Sequence, residues 1–202
     1  MLYLKSLKEI TMLNFKLKLS GLILAILIST TFAAPSIAQN SFRFTIGTGK
    51  ATDPTYAFGA AIVRLLSIKE RKGLINFSVS VQTTSAPVSN INSVRSRTLD
   101  FGIVQSDIRS QAYKGTDQFA NKGPYLKMRS LFSLPSNQAI IADQSVPKNI
   151  VYEIVKAVFE NIETVKRMHP SLRSLTKQNM LQGLYAPLHS GAMKYYKEAG
   201  LK

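Results

Sequence analysis

Residues 42–66 read FRFTIGTGKATDPTYAFGAAIVRLL, and this stretch predicts a strand, a loop and a helix in immediate succession. Apolar side chains alternate at Phe42, Phe44 and Ile46, which is typical of a strand with one buried face. A loop follows at 47–52, and apolar residues then recur at helical spacing. The first turn of such a helix presents unpaired backbone N–H groups, and the helix dipole favours negative charge there. The stretch therefore indicates a place for a small anion, although an ordinary tight turn would give the same pattern.

Two similar units follow along the chain. Residues 76–83 (NFSVSVQT) alternate as a second strand, and apolar residues at helical spacing begin at Val88, with Ser85 or Ser89 as the candidate N-terminal cap. A short apolar third strand at 100–104 runs into a helix that starts near Asp107. Strands that alternate with helices predict a parallel sheet, whose ligands lie beyond the carboxyl ends of the strands. Three such ends should converge, and they supply Thr48 and Gly49, Thr84 and Ser85, and Gln105 and Ser106.

The remainder of the chain predicts a different organisation. A polar loop at 114–123 precedes an apolar segment at 125–134 that suggests a further strand. Val146-Pro147 should start one long amphipathic helix that His169-Pro170 ends, and a closing helix is expected at 192–199. The sequence thus predicts an α/β ligand-binding lobe at 39–134 with a parallel-rich sheet, followed by a helical region at 135–202.

The first residues indicate export. A basic start with four Lys and one Glu precedes an apolar run at 19–28 and the small-residue site Ser36-Ile37-Ala38. This order is typical of a secretory signal peptide, here 1–38 with cleavage after Ala38, and the apolar run is short for a membrane span of about 20 residues. Met12 offers an alternative start, and an uncleaved anchor is the competing interpretation. We therefore expect a periplasmic protein.

Charge and composition exclude several classes of function. The chain carries a net charge of +15, and removing the four Lys and one Glu of the predicted signal leaves +12. The basic residues are scattered, without a nucleic-acid-binding motif, so we expect no nucleic-acid partner. The chain has no Cys, and neither His169 nor His189 stands at metal-ligand spacing, so no metal or other cofactor is expected. With no catalytic motif recognised, binding is favoured over an enzymatic activity.

The motifs together resemble the TAXI family of TRAP-transporter solute receptors, which capture small organic acids or amino acids for a membrane permease. The resemblance rests on IGTG at 46–49, on a Thr/Ser turn followed by Asn90-Ile91, and on DFGIVQSDIRSQAYKGTDQFANKGP at 100–124. The stretches VPKNIVYEIVKAVFENIETV at 146–165 and GLYAPLHSGAMKYYKEAG at 183–200 look like the terminal region of the same family. The match covers nearly all of the chain after the predicted signal.

This resemblance implies a periplasmic-binding-protein fold of two α/β lobes with a carboxylate ligand held between them. The positions that match the family's ligand-binding loops come from three turns of the first lobe: Thr48, Gly49, Thr52, Thr55, Tyr56, Ser85, Asn90, Gln105 and Ser106. Lys50, Ala51, Asp53 and Pro54 depart from a loop that is usually richer in Gly, and Lys50 could either pair with the ligand or point to solvent.

The largest departure from the family is length. Residues 135–138 join two segments between which the family inserts most of its second lobe. The resemblance therefore implies one lobe with an open site, and terminal helices that leave apolar patches exposed. The leading hypothesis is an extracytoplasmic receptor that delivers a small anionic solute to a TRAP-type permease, impaired by the internal deletion. The alternative is a non-functional or partner-docking remnant of such a receptor.

Overall fold

Five strands form one sheet in the computed structural model, which describes residues 42–85 and 87–202; the predicted signal peptide lies outside them. The strands are β1 (Phe42–Thr48), β2 (Phe77–Thr83), β3 (Phe101–Gln105), β4 (Met128–Leu134) and β5 (Gln138–Asp143), in the order β2-β1-β3-β5-β4. β1 pairs in parallel with β2 and β3, whereas β5 runs antiparallel to both β3 and β4. Four of the five strands consequently point the same way.

Helices cover both faces of this sheet. They are α1 (Pro54–Arg71), α2 (Pro87–Arg95), α3 (Ser106–Lys114), α4 (Lys148–Glu160), α5 (Ile162–Met168) and α6 (Ser190–Glu198), with short 3-10 helices at Asp117–Lys122, Pro170–Leu172 and Asn179–Leu181. One core cluster contains the apolar faces of α1, α4, α5 and α6, and a second contains those of α2 and α3. Along β5, Ile140 and Ala142 belong to the first cluster and Ile141 to the second. The predicted three-layer α/β fold class of a single periplasmic-binding-protein-like lobe is confirmed.

The structure corrects the predicted C-terminal half in three places. β5 lies within the segment for which only helices were expected. The single long helix is instead two, α4 and α5, which meet at Asn161, where the side-chain Nδ2 donates to Ala157 O at 2.9 Å and φ is −118°. Asn side chains compete for backbone groups in this way and so weaken a helix interior. The loop at 114–123 contains a 3-10 helix that is anchored by the fully buried Phe119.

The prediction of exposed apolar patches on the terminal helices is wrong. In the described part of the chain the large exposed hydrophobic side chains are Phe42, Ile68, Leu74, Leu126 and Tyr185, and none of them lies on α4, α5 or α6. Those helices pack into the same core cluster as α1 because they cover the face of the sheet to which β4 and β5 contribute. The lobe therefore has a complete core. Among the described residues, no helix is long and apolar enough to cross a membrane.

Candidate functional site

The carboxyl ends of β1, β2 and β3 meet around one cavity of about 230 Å³, here called the edge cavity. Six of the residues predicted for the site line it: Thr48, Gly49, Thr55, Ser85, Asn90 and Gln105. The other lining residues are Asp53, Pro87, Ile103 and Gln138. The parallel pairing explains the convergence, because β1 shares its direction with both neighbours and all three following loops leave the sheet at the same edge.

Three predicted residues lie elsewhere. Ser106 lines a larger neighbouring cavity. Thr52 is exposed in the turn before α1, and Tyr56 is half-buried near the start of that helix; neither lines the edge cavity. Ser89 cannot cap α2, because it lies inside that helix, which begins at Pro87.

Side chains in the loop between β1 and α1 and in the first turn of α1 already accept hydrogen bonds from some of the loop's N–H groups. Gly49 N donates to Thr55 Oγ1 at 3.0 Å, and Lys50 N donates to Asp53 Oδ2 at 2.8 Å. An anion in the edge cavity would therefore compete with the protein's own oxygen atoms for these donors. The Lys50 side chain is exposed and does not line the cavity.

Asn90 is the polar centre of the edge cavity. The residue is 2% exposed, and its Nδ2 donates to Ile103 O at 3.0 Å and to Thr48 O at 3.3 Å, with Gly47 O at 3.5 Å. These contacts join the ends of β1 and β3 through one side chain. Its Oδ1 is buried beside Gly47 and has no hydrogen-bond partner in the structure.

The close approach of β1 to Asn90 requires a glycine at position 47. A Cβ added there would lie 2.4 Å from Leu99 Cδ1 and 2.7 Å from Asn90 Oδ1. Such distances are shorter than van der Waals contact, so a side chain at position 47 would displace the side chains of Leu99 and Asn90. Gly47 is thus a structural part of the site without offering a side chain.

Sequence reasoning missed the two further polar lining residues, Asp53 and Gln138. Gln138 reaches the cavity because the antiparallel register places it beside Gln105 of β3. That register could not be inferred without recognising β5 as a strand. Asp53 stood in the sequence as a departure from a Gly-rich loop, and the missed signal was its position directly before the first helix.

Both histidines act as helix caps. His169 Nδ1 accepts from Ser171 N at 3.2 Å, and His189 Nδ1 accepts from Gly191 N at 3.1 Å. Burial lowers the pKa of His189, because the charged imidazolium loses its hydration there. The acceptor role of His189 Nδ1 likewise requires the unprotonated ring.

One comparison with known proteins identifies a matching family. The model of the NMT1-like family matches residues 46–143 and, separately, residues 135–200. The two matches together span more than half of the chain, and they overlap at residues 135–143. The NMT1-like family is a periplasmic-binding-protein-like family, whose members are binding proteins and typically extracytoplasmic.

Proposed function

Because this chain belongs to the NMT1-like family, we propose that it is an extracytoplasmic receptor of the TAXI type, which captures a small carboxylate and delivers it to a TRAP-type membrane permease. The family accounts for a small solute as ligand. The choice of transporter class rests on the sequence motifs at 46–49 and 100–124.

The edge cavity is the observation that carries this proposal. Side chains from three separate turns line one cavity of about 230 Å³, which is below the size of about 300–1,000 Å³ common for drug-sized ligands and suits a small metabolite. Thr55 Oγ1 accepts from Gly49 N, so its own hydrogen can be donated to a ligand oxygen. The Ser85 hydroxyl and the Gln105 amide add further donors to the same space.

The acceptors of the cavity favour an amino acid over an organic acid. The carboxylate-bearing residue Asp53 lines the cavity, and an ionised carboxylate can only accept hydrogen bonds. A ligand ammonium group would pair with this carboxylate, whereas a dicarboxylate would place a second negative charge beside it. Asp53→Asn should therefore reduce the preference for amino acids over the corresponding 2-oxoacids, while its Oδ1 can still accept from Lys50 N.

The complete core supports a folded receptor over a remnant that cannot fold. The terminal helices bury their apolar faces. β4 and β5 pair with each other and are joined by a three-residue connection at 135–137. That connection lies at the edge of the sheet that carries the edge cavity, where the resembled family inserts its second lobe. The overlap of the two family matches at 135–143 supports an internal shortening at this position.

A thermal-shift screen tests the proposal. The protein is melted with dicarboxylates, with 2-oxoacids and with acidic or amide amino acids, because a ligand that binds only the folded state raises the melting temperature as its concentration exceeds Kd. We expect at least one ligand to raise the melting temperature of the wild type and of Gln118→Ala, but not of Gln105→Ala. Gln118 is exposed and lines neither cavity, so it is the matched control. A cooperative melt that no ligand shifts would refute the receptor function and leave the fold intact.

A further inference from the structure

A second cavity, of about 390 Å³, shares Gln138 with the edge cavity and is here called the Arg109 cavity. It lies between the start of α3, the connection of β4 to β5 and the segment at 174–185. Its wall is polar and contains hydroxyl and amide side chains, among them Ser106, Ser136, Ser174, Asn137, Asn179 and Gln182. Arg109 is the charged residue among those that line it, and no Asp or Glu does so.

The Arg109 guanidinium is buried with most of its hydrogen-bonding capacity unused. The residue is 1% exposed, and Nε and Nη1 have no partner in the structure. Only Nη2 has hydrogen-bond contacts, at 3.5 Å to Asn137 O and 3.4 Å to Gly183 O, which are long for hydrogen bonds. A guanidinium carries five N–H donors, three of them on Nε and Nη1.

Arg109 forms no ion pair within the described residues, although Asp107 attracts its charge from a greater distance. The ion pairs formed there are Lys69–Glu153, Lys156–Glu160, Lys166–Glu163 and Lys194–Glu198, and none of them includes Arg109. Burial lowers the pKa of Arg109 to about 10, so the group is still protonated at neutral pH. An unpaired buried charge is costly, since the desolvation that it suffers is not offset by an ion pair.

A purely structural role explains less of this geometry. Holding the two carbonyl groups of Asn137 and Gly183 would engage one nitrogen at long distances and leave three donors unsatisfied. Buried polar groups in folded proteins are nearly always hydrogen-bonded, so such an arrangement indicates a missing partner. The missing partner must be an acceptor, and the positive charge favours an anionic one.

We propose that the Arg109 cavity binds a small oxyanion, with the guanidinium as its counter-charge and the surrounding hydroxyl and amide groups as further donors. Planar oxyanions such as carboxylates match the fork of a guanidinium. Nε and Nη1 are covered, so direct contact requires a neighbouring group to turn aside. Tyr185 can do so, because its ring lies 5.7 Å from Arg109 Cζ and the residue is 58% exposed.

This inference is tested apart from the proposed function, because the two cavities have only Gln138 in common and the predicted site residue Ser106 lines the Arg109 cavity alone. Gln105 lines the edge cavity but not the Arg109 cavity, whereas Arg109 lines the Arg109 cavity but not the edge cavity. Gln105→Ala should therefore abolish receptor binding and leave the oxyanion effect unchanged. Failure of the receptor screen would not remove the oxyanion effect, and loss of the oxyanion effect would not remove a hit in that screen.

The test compares melting temperatures in sodium succinate, sodium sulfate and sodium phosphate with those in sodium chloride at matched ionic strength. The variants are Arg109→Met and, as a control with the same loss of charge, Arg43→Met at the exposed start of β1. We expect at least one oxyanion to raise the melting temperatures of the wild type and of Arg43→Met by more than it raises that of Arg109→Met. The comparison of variants removes the general stabilisation by excluded salts. A preference for succinate indicates a carboxylate ligand, and a preference for sulfate or phosphate a tetrahedral one.

Two results would overturn the proposal: an equal oxyanion effect in Arg109→Met and Arg43→Met, or no oxyanion effect in the wild type. We also expect Arg109→Met to melt in chloride no lower than Arg43→Met, because an unpaired buried charge is removed. If Arg109→Met fails to fold, Arg109→Lys serves in its place. Lysine keeps the positive charge but lacks the paired N–H donors of the guanidinium, so the apparent affinity for the oxyanion should fall at least about threefold. An unchanged affinity in Arg109→Lys would contradict the assignment.

Discussion

Replacing Asn90 with alanine removes the amide group that joins the carboxyl ends of β1 and β3. Nδ2 contacts three carbonyl oxygens, of which Ile103 O at 3.0 Å and Thr48 O at 3.3 Å are the closer two. Because Nδ2 has two hydrogens, we count two effective hydrogen bonds. The residue is buried, so the carbonyls that lose their donor cannot all be rehydrated without opening the edge of the sheet.

The expected cost follows from these contacts. A typical intramolecular hydrogen bond contributes about 1 kcal/mol net, and a buried acceptor left without a donor costs about 1–3 kcal/mol. The already unpartnered Oδ1 of Asn90 disappears with the side chain and gives back part of that loss. We therefore expect the free energy of unfolding to fall by about 3 kcal/mol, and the melting temperature by about 6–12 °C for a chain of this size.

Urea unfolding of the wild type, Asn90→Ala and Asn92→Ala measures this cost. Asn92 lies on the same helix, and its Oδ1 accepts from Lys122 Nζ at an exposed position, so its replacement should cost less than about 0.5 kcal/mol. The dependence of the free energy on urea should be unchanged in both variants, while the midpoint falls only in Asn90→Ala. If the two variants lose equal stability, Asn90 does not hold the strands as the structure indicates.

Two further predictions concern His189 and the glycines at the ends of β1 and β3. Burial lowers the pKa of His189, so the unfolded state takes up a proton before the folded state does as the pH falls below about 6.5. The free energy of unfolding should therefore decrease as the pH falls from there towards the pKa of His189 in the folded state, by at most about 1.4 kcal/mol per pH unit. Melting curves between pH 7.5 and 5 should show this loss in the wild type and in His169→Asn but not in His189→Asn. The asparagine in His189→Asn keeps an oxygen that can cap the helix but has no group that takes up a proton in this pH range. Gly47→Ala should destabilise the protein by about 1–3 kcal/mol in urea melts, because the added Cβ would lie 2.4 Å from Leu99 Cδ1. Gly102→Ala, whose Cβ would meet its nearest neighbours at 3.3 Å, should cost less, and the reverse order would show that the strand end can relax.

The first three strands and the place where their ends meet could be predicted from sequence because both depend on local patterns. Alternating apolar residues identify each strand, and the helices between them imply the parallel pairing that brings the ends together. Six predicted residues line one cavity for that reason. Thr52 and Tyr56 do not line it, because the direction in which a loop or first-turn side chain points depends on the exact path of the turn.

β5 and Arg109 show what local patterns do not contain. β5 is only six residues long and has four apolar residues, 139–142, and such a short run can form a buried strand or part of a helix. Its pairing with β3 decides the matter and also brings Gln138 beside Gln105. Arg109 belongs to a polar stretch, and it is buried because the connection at 135–137 and the carbonyl of Gly183 close over it. Both contacts come from segments distant in the chain.

The connection at 135–137 explains how a receptor of this kind could lose a lobe and still fold. β4 and β5 are adjacent and antiparallel, so each satisfies backbone hydrogen bonds of the other, and a three-residue turn suffices to join them. Ser136 and Asn137 adopt positive φ angles there, a conformation that suits a tight turn between two strands. In the proposed receptor, a shortening at this point would leave the core intact and remove only the surface that closes over the ligand. Since enclosed sites bury about 70–90% of a ligand and an open edge buries less, we expect the proposed receptor to bind its solute weakly.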